Sequence, residues 1–585
     1  MHRLLLGLVS ATILATGAGQ VLARDDALVA QGRAMYAEGR LPDGKPLQGS
    51  RVALDAVSGR AAACTNCHRA SGLGDVEGNV VIPPITGHAL FGTGEAVVVR
   101  QDRRFDPGLS EQHPAYTEAG FAAAVRAGSN HSGRALGPLM PRFDLSDAQL
   151  QALAAYLNTL SDHWSAGAHA DQVHIATAIA PDMDPARRSA FLQTLTTLLT
   201  QMNGNVASGQ RQKIPSIERH LGSRRKLTLD IWELHGPSST WQEQLNQHQQ
   251  HDPAFALLSG LGGHEWQPVQ DFCDSNQVVC WFPSVDLIPA NAQQSTFSLY
   301  LSGGVLTEAR VMAAQAAMQG TRVIQLVGAD PLAAAGAQAL RQALPANTVV
   351  ETLHAGDLSA ARLQAIQPDD AVAVWLSPQE LPLLSHLASS VSKVWISASL
   401  AADADHALPA SLSSHAMLVQ TLELPGIRNA NLMRFDAWLE GSKVRLVDRK
   451  MQSEVYFAAR SLVYMLRGML NNLYTPYLIE RAESTLSMFE AMQVQDEVQA
   501  LMMAPANKHP VDPNAKAAPD AAATAMDATA REKARLNDLL LRGGTTMYPR
   551  LNLAPGQRIA SKGAYLQSVR QPSPSTSAEP VWVAP

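Results

Sequence analysis

The chain has 585 residues, 46% of them hydrophobic and 17% charged, with a formal net charge of −6. That balance describes a globular protein with room for about three domain-sized units, and it excludes a disordered chain. The mild acidity, with no Lys/Arg run or interleaved aromatic patch, excludes a nucleic-acid partner.

Residues 1–23 open with His2-Arg3, continue through the apolar run from Leu4 to Val9, and reach Val21-Leu22-Ala23 ahead of Arg24-Asp25-Asp26. The order of basic start, short apolar core and small residues reads as a secretory signal, with Ala23 the last residue removed. No later stretch attains the length of a transmembrane helix, so none is expected once the signal is gone.

A helix is expected around Ala30–Tyr36, followed by Cys64-Thr65-Asn66-Cys67-His68. Two thiols one helical turn apart can each add to a vinyl group of one porphyrin, and a histidine directly after the second lies under the iron as its proximal ligand. Half a zinc site would need two more ligands nearby, whereas Cys273 and Cys280 lie far along the chain. A thioredoxin-like redox pair would have no need of His68. The spacing therefore points to one covalently attached haem c, and attachment of this kind agrees with export to the periplasm.

The next candidate ligand is Met140, in Leu136-Gly137-Pro138-Leu139-Met140-Pro141-Arg142-Phe143, where flanking prolines stiffen the loop. The alternatives are a plain core methionine at 140 or an axial ligand among His88, His113 and His131. Ser146-Asp147-Ala148-Gln149 then reads as a capping box that starts a helix carrying Leu150, Leu153, Leu157 and Leu160. The apolar face of that helix is expected to pack on the N-terminal helix.

The order of helix, CxxCH, methionine loop and closing helix over residues 24–162 resembles class I cytochrome c. The resemblance implies an all-α domain. It also implies a proline carbonyl that accepts a hydrogen bond from the proximal imidazole: Pro83-Pro84 offers two candidates, of which Pro84 is assigned. Arg126 is assigned to a haem propionate on the same ground. Ligation by His68 and Met140 fills both axial positions, which suits electron transfer and leaves no open site for a substrate.

Residues 163–172 are small and polar without an apolar period and read as a linker. Beyond them strands are expected at Val173–Ala180, Lys226–Leu234, Ala254–Ser259, Arg322–Val327, Val372–Leu376 and Lys393–Ala398. Helices are expected at about Asp184–Met202, Trp241–Gln249 and Leu332–Leu344. Alternation of this kind implies two successive α/β units with parallel sheets. Cys273 and Cys280 are close in sequence, and in an oxidising compartment they are expected to pair as a disulfide; the alternative is two buried free thiols.

Residues 173–570 resemble a type I periplasmic binding protein of the branch that binds branched-chain amino acids and similar molecules. The resemblance is carried by Leu258-Ser259-Gly260-Leu261-Gly262-Gly263, by Val279-Cys280-Trp281-Phe282-Pro283-Ser284, and by Phe297-Ser298-Leu299-Tyr300-Leu301-Ser302 ahead of a helix Glu308–Met318. Near the end, the stretch from Met547 to Arg558 and Ser561-Lys562-Gly563 add to it. It implies two lobes closing on a small polar ligand, with Ser259, Gly260, Ser284 and Ser302 at ligand positions and Tyr300 on the crossing strand. Ser284-Val285-Asp286 departs from the family's run of small hydroxylated residues, and an acid there opposes a ligand carboxylate. Residues 504–530 and the tail 571–585 are expected to be disordered, with a helix at Glu532–Arg542 between them.

No Ser-His-Asp set, phosphate loop or nucleotide fingerprint marks an enzyme. The leading expectation is a periplasmic electron-transfer cytochrome whose fused module recognises a small molecule or docks a redox partner protein. The alternatives are a ligand sensor or solute-binding protein with a haem-coupled response, and the haem subunit of a periplasmic dehydrogenase complex.

Overall fold

The computed structural model describes residues 26–77, 80–92, 113–181, 183–211, 225–319, 322–401, 408–409, 412, 416–469, 471–503, 546–549, 551–569 and 580–585. The expected signal, the insertion 504–530 and the helix Glu532–Arg542 lie outside them. The chain forms two compact units, one of Met1–Ser165, Lys213–Ser223 and Leu466–Glu480, the other of Ala166–Gln212, Arg224–Met465 and Arg481–Pro585.

In the first unit a helix at 26–33 continues as a π-turn at Ala34–Glu38. The closing helix Asp147–Leu157 starts at the expected capping box: Ser146 Oγ accepts from Gln149 N at 3.3 Å, and Gln149 Oε1 accepts from Ser146 N at 2.8 Å. The two helices cross closely because residue 32 is glycine; a Cβ there would lie 2.0 Å from the Ala152 carbonyl oxygen. Met35, Tyr36, Phe121, Val125, Phe143, Leu150, Leu153, Leu157 and Leu160 form one buried cluster, as the helical spacing predicts. The domain is not all-α, however. Strands β1 (Gln48–Arg51) and β2 (Leu54–Ser58) form an antiparallel ribbon, β3 (Asp75–Glu77) pairs with β4 (Val80–Ile82), and β5 (Arg142–Phe143) joins β1. These strands are two to five residues long and too short to show a period of two in the sequence.

The second unit contains two seven-stranded sheets. The first holds β6 (Gln172–Ile179), β7 (Lys226–Glu233), β8 (Ala256–Leu258), β9 (Leu261–Gly262), β10 (Val279–Trp281), β11 (Ser284–Val285) and β12 (Ser298–Leu299), in the order β11-β9-β6-β8-β10-β12 with β7 also on β6. All its pairings are parallel. The second holds β13 (Val323–Val327), β14 (Val350–His354), β15 (Ala371–Trp375), β16 (Lys393–Ser397), β17 (Ala416–Gln420), β18 (Ala564–Ser568) and β19 (Val581–Val583), in the order β14-β13-β15-β16-β17-β18-β19.

Its first five strands are parallel, and β18 and β19 add antiparallel strands at one edge. Strand β19 corrects the expectation of disorder at the far end of the tail, residues 571–579 lying outside the described ones: Val581, Trp582 and Val583 pair with Leu566, Tyr565 and Ala564, and the Trp582 and Tyr565 rings lie 5.0 Å apart. One apolar cluster joins Ala176 and Leu257 of the first sheet to Val323 and Ala373 of the second. Cys273 and Cys280 form the expected disulfide, linking the helix Gln267–Asn276 to β10. Among the described residues no helix is long and apolar enough to cross a membrane.

The polar stretch read as a linker is tied down at both ends. In the first unit Ser165 N donates to Leu473 O at 2.9 Å and Trp164 Nε1 to Asn471 O at 2.6 Å, while in the second His174 N donates to Gly167 O at 2.7 Å.

Candidate functional site

Cys64 precedes a single helical turn, Thr65–His68, in which His68 N donates to Cys64 O at 2.9 Å. That turn sets both thiols and the imidazole on one short rigid piece. The chain then reverses through Gly72 (φ 73°) and Gly74 (φ 72°); a side chain at 74 would lie 2.0 Å from the Ile82 carbonyl oxygen, so only glycine lets the returning strand come this close. Gly74 N donates to His68 O at 3.2 Å, which closes the loop.

This return brings the Pro83 carbonyl to 2.9 Å from His68 Nδ1. A carbonyl only accepts, so Nδ1 carries the hydrogen and the lone pair is on Nε2, the tautomer a metal-ligating histidine needs. Burial pushes the imidazole pKa down to about 4, against the opposing effect of the Pro83 carbonyl, and keeps the ring neutral. Burial raises the Cys64 thiol to about 12, while Cys67 is exposed. Two thiols outside any disulfide and a neutral, oriented imidazole on one turn form the donor set that a covalent c-type haem requires.

The orienting carbonyl belongs to Pro83, which corrects the assignment to Pro84. Arg126 Nε donates to Leu145 O at 2.6 Å and its Nη2 pairs with Asp147 at 2.7 Å, so it braces the start of the closing helix. Met140 is half-buried and, like Cys64, packs against the apolar cluster of the first unit. Its loop is gripped from behind by Arg142, which donates to the carbonyls of Met140 and Leu136. Of the alternative ligands, His88 is exposed, and the His113 and His131 rings stack on each other at 5.3 Å.

Several supports of the attachment loop had no mark in the local sequence. Tyr36 Oη donates to Arg69 O at 2.6 Å, and Arg69 Nε pairs with Asp75 at 3.1 Å in a buried contact. Glu480 accepts from Ser71 N at 2.8 Å and from Ser71 Oγ at 2.6 Å across 409 residues of chain. Only a long-range signal could have linked that glutamate to the loop.

In the second unit the residues assigned to ligand fall into two groups. Ser284 is buried at the start of β11 and its hydroxyl donates to Glu454, which also accepts from Tyr548 Oη and pairs with Lys450 at 3.1 Å. The Tyr300 hydroxyl donates to Gln270 Oε1 at 2.9 Å, and burial raises its pKa. Ser302 Oγ accepts from Gly304 N at 3.1 Å ahead of the helix Val305–Gln319. Each of these three hydroxyls makes a hydrogen bond within the protein.

Ser259 and Gly260 differ. Ser259 has a φ of 57°, is 1% exposed, and its Oγ finds no hydrogen-bond partner among the described residues. Gly260 (φ 111°) lies under the Trp266 ring, 2.9 Å from where a Cβ would be. Asp286, read as an acid opposing a ligand carboxylate, is neutralised: Arg187 donates to it at 2.9 and 3.1 Å and to Asp448 at 2.9 Å.

Comparison with solved structures finds a similar arrangement in an extracellular ligand-binding receptor from Verminephrobacter eiseniae, at 17% identity, covering 53% of this chain and 89% of that one, with a TM-score of 0.35. A possible leucine/isoleucine/valine-binding protein from Rhodopirellula baltica is 11% identical, covering 71% and 97%, with a TM-score of 0.40. The branched-chain amino acid transporter substrate-binding protein LivJ from Streptococcus pneumoniae, solved with isoleucine, is 10% identical, covering 54% and 88%, with a TM-score of 0.35. No curated protein matches the chain. Residues 56–161, which hold the CxxCH turn, Pro83 and Met140, match the Cytochrome c family, so the first unit carries a cytochrome c domain.

Proposed function

We propose that the protein is a periplasmic electron carrier with one covalent haem c, and that its second unit recognises a small polar molecule or a redox partner protein. The observation that carries this reading is the hydrogen bond from His68 Nδ1 to the Pro83 carbonyl directly after two thiols one turn apart. Cys64 and Cys67 would hold the porphyrin and His68 the iron, and the group would supply a one-electron Fe(III)/Fe(II) couple. Met140, on a loop fixed by Arg142, is the proposed second axial ligand. A protein with both axial positions filled passes electrons on and leaves chemistry to a partner.

The test begins with chain exported alongside haem-attachment machinery. After acid-acetone stripping and denaturing electrophoresis, the band is expected to stain for peroxidase activity, and a Cys64→Ala/Cys67→Ala variant is expected to lose the stain entirely. A colourless wild-type band overturns the reading. Met140→Ala is expected to convert the reduced spectrum from low-spin six-coordinate to one with an open axial position; an unchanged spectrum moves the ligand to a histidine.

One observation favours the sensor reading for the second unit. The orphaned Ser259 hydroxyl is buried at the carboxyl end of β8, the end of a parallel sheet where ligands gather. Thermal stability screened against amino acids, organic acids and alcohols, followed by redox titration with each hit, separates the two roles. A stabilising ligand that also moves the midpoint potential establishes sensing; a ligand that leaves the potential unchanged establishes simple binding.

A further inference from the structure

We propose that His174 and Asp230 hold a divalent cation of the zinc class at the edge of the first sheet in the second unit. His174 stands on β6, and Asp230 on the adjacent parallel strand β7, opposite Ala176. His174 Nδ1 lies 2.8 Å from the Pro253 carbonyl oxygen, which fixes the hydrogen on Nδ1 and the lone pair on Nε2, as the Pro83 carbonyl does for His68. Nε2 is buried and makes no hydrogen bond among the described residues.

The nearest charged atom to it on the neighbouring strand is Asp230 Oδ2, at 3.6 Å. That separation exceeds a hydrogen bond. It does suit a metal between the two atoms: ligands about 2.0–2.2 Å from a tetrahedral zinc lie about 3.5 Å from each other.

A third carboxylate lies close by: Asp252 Oδ1 is 3.4 Å from Nδ1, on the side of the ring turned to Pro253, and the ligand atoms of His174, Asp230 and Asp252 come within 4.8 Å of one another. The imidazole is 6% exposed whereas the two carboxylates are 49% and 60% exposed, so an ion could enter from solvent and keep water in its remaining positions. One imidazole nitrogen with carboxylate oxygens is a donor set that favours zinc over calcium or magnesium. Such an ion would clasp β6, β7 and the turn at 252–253 that leads into β8.

The test uses full-length haem-loaded protein freed of metal by a chelator and titrated with Zn²⁺, followed by calorimetry and thermal unfolding. One saturable Zn²⁺ that raises the unfolding temperature is expected. Asp230→Asn, at a half-exposed position, is expected to weaken that binding by about tenfold or more and remove the thermal shift, with the haem spectrum unchanged. His174→Gln is expected to do the same where it folds, and Asp230→Asn carries the test alone where it does not. Absence of saturable binding, or binding and thermal shift unaltered by Asp230→Asn, overturns the proposal.

Discussion

The haem-attachment loop and the carboxyl ends of the strands in the second unit satisfy their polar groups in opposite ways. In the loop the key side chains are oriented by backbone: Pro83 O holds His68, and the positive-φ glycines bring it there. Neither thiol is tied up in a disulfide. At the strand ends side chains satisfy one another: Ser284 and Tyr548 donate to Glu454, Ser397 and Ser399 to Glu308, and Arg187 joins Asp286 to Asp448. A site built for a guest leaves donors free, whereas buried carboxylates must be matched internally because an unmatched one is costly. By that criterion Ser259 is the first hydroxyl to test against a ligand.

The largest expected effect that would break this contrast is at Glu454. Glu454→Ala strands the hydroxyls of Ser284 and Tyr548 and should cost about 3 kcal/mol of stability by denaturant unfolding. A loss below about 1 kcal/mol would mean that those hydroxyls have solvent or ligand to turn to.

Glu308 gives the next effect, read through pH. Burial raises its carboxyl from the ordinary 4.5 to about 7, against the opposing hydrogen bonds from Ser397 and Ser399. A raised acid pKa favours the protonated native state, so this contribution is complete below pH 4.5 and is lost as pH rises through 7. Stability of the second unit should therefore fall across that window by roughly 1–3 kcal/mol, and Glu308→Gln should flatten the fall in thermal scans. Equal slopes in the two proteins would remove Glu308 from the account.

On the loop side, Glu480→Ala leaves Ser71 N and Oγ without their carboxylate and should cost about 1–2 kcal/mol. Covalent haem content should be unchanged, since Pro83 still orients His68; a loss of haem would show that Glu480 also positions the attachment turn. The smallest effect is expected for Asp286→Asn. The ion pair is 21% and 32% exposed and Arg187 retains Asp448, so the change should stay below about 1 kcal/mol by chemical unfolding.

Much of this was legible in order along the chain. The capping box at Ser146, the parallel strand from Val173 and the local disulfide are short-range facts, each resting on a few neighbouring residues. Helix ends were less legible: the helix expected at about Asp184–Met202 extends to Arg211 through Asn203-Gly204-Asn205, a run that weakens a helix but holds no proline to stop it. The short strands β1 to β5 and the edge strand β19 escaped because two to five residues give no period to read. Arg126 escaped for a different reason: its partner Asp147 lies 21 residues on and is visible only once the helices are packed.

What the sequence by itself determined is the chemistry that five adjacent residues can specify: two thiols and an imidazole on one turn, with the spacing that suits a c-type haem. Tertiary structure decided which carbonyl orients His68, which hydroxyls make hydrogen bonds within the protein, and that Glu480 supports a loop 409 residues away. The division has a physical reason. Covalent spacing is written along the chain, whereas a buried hydrogen bond is a match between groups that only folding brings within about 3 Å of each other.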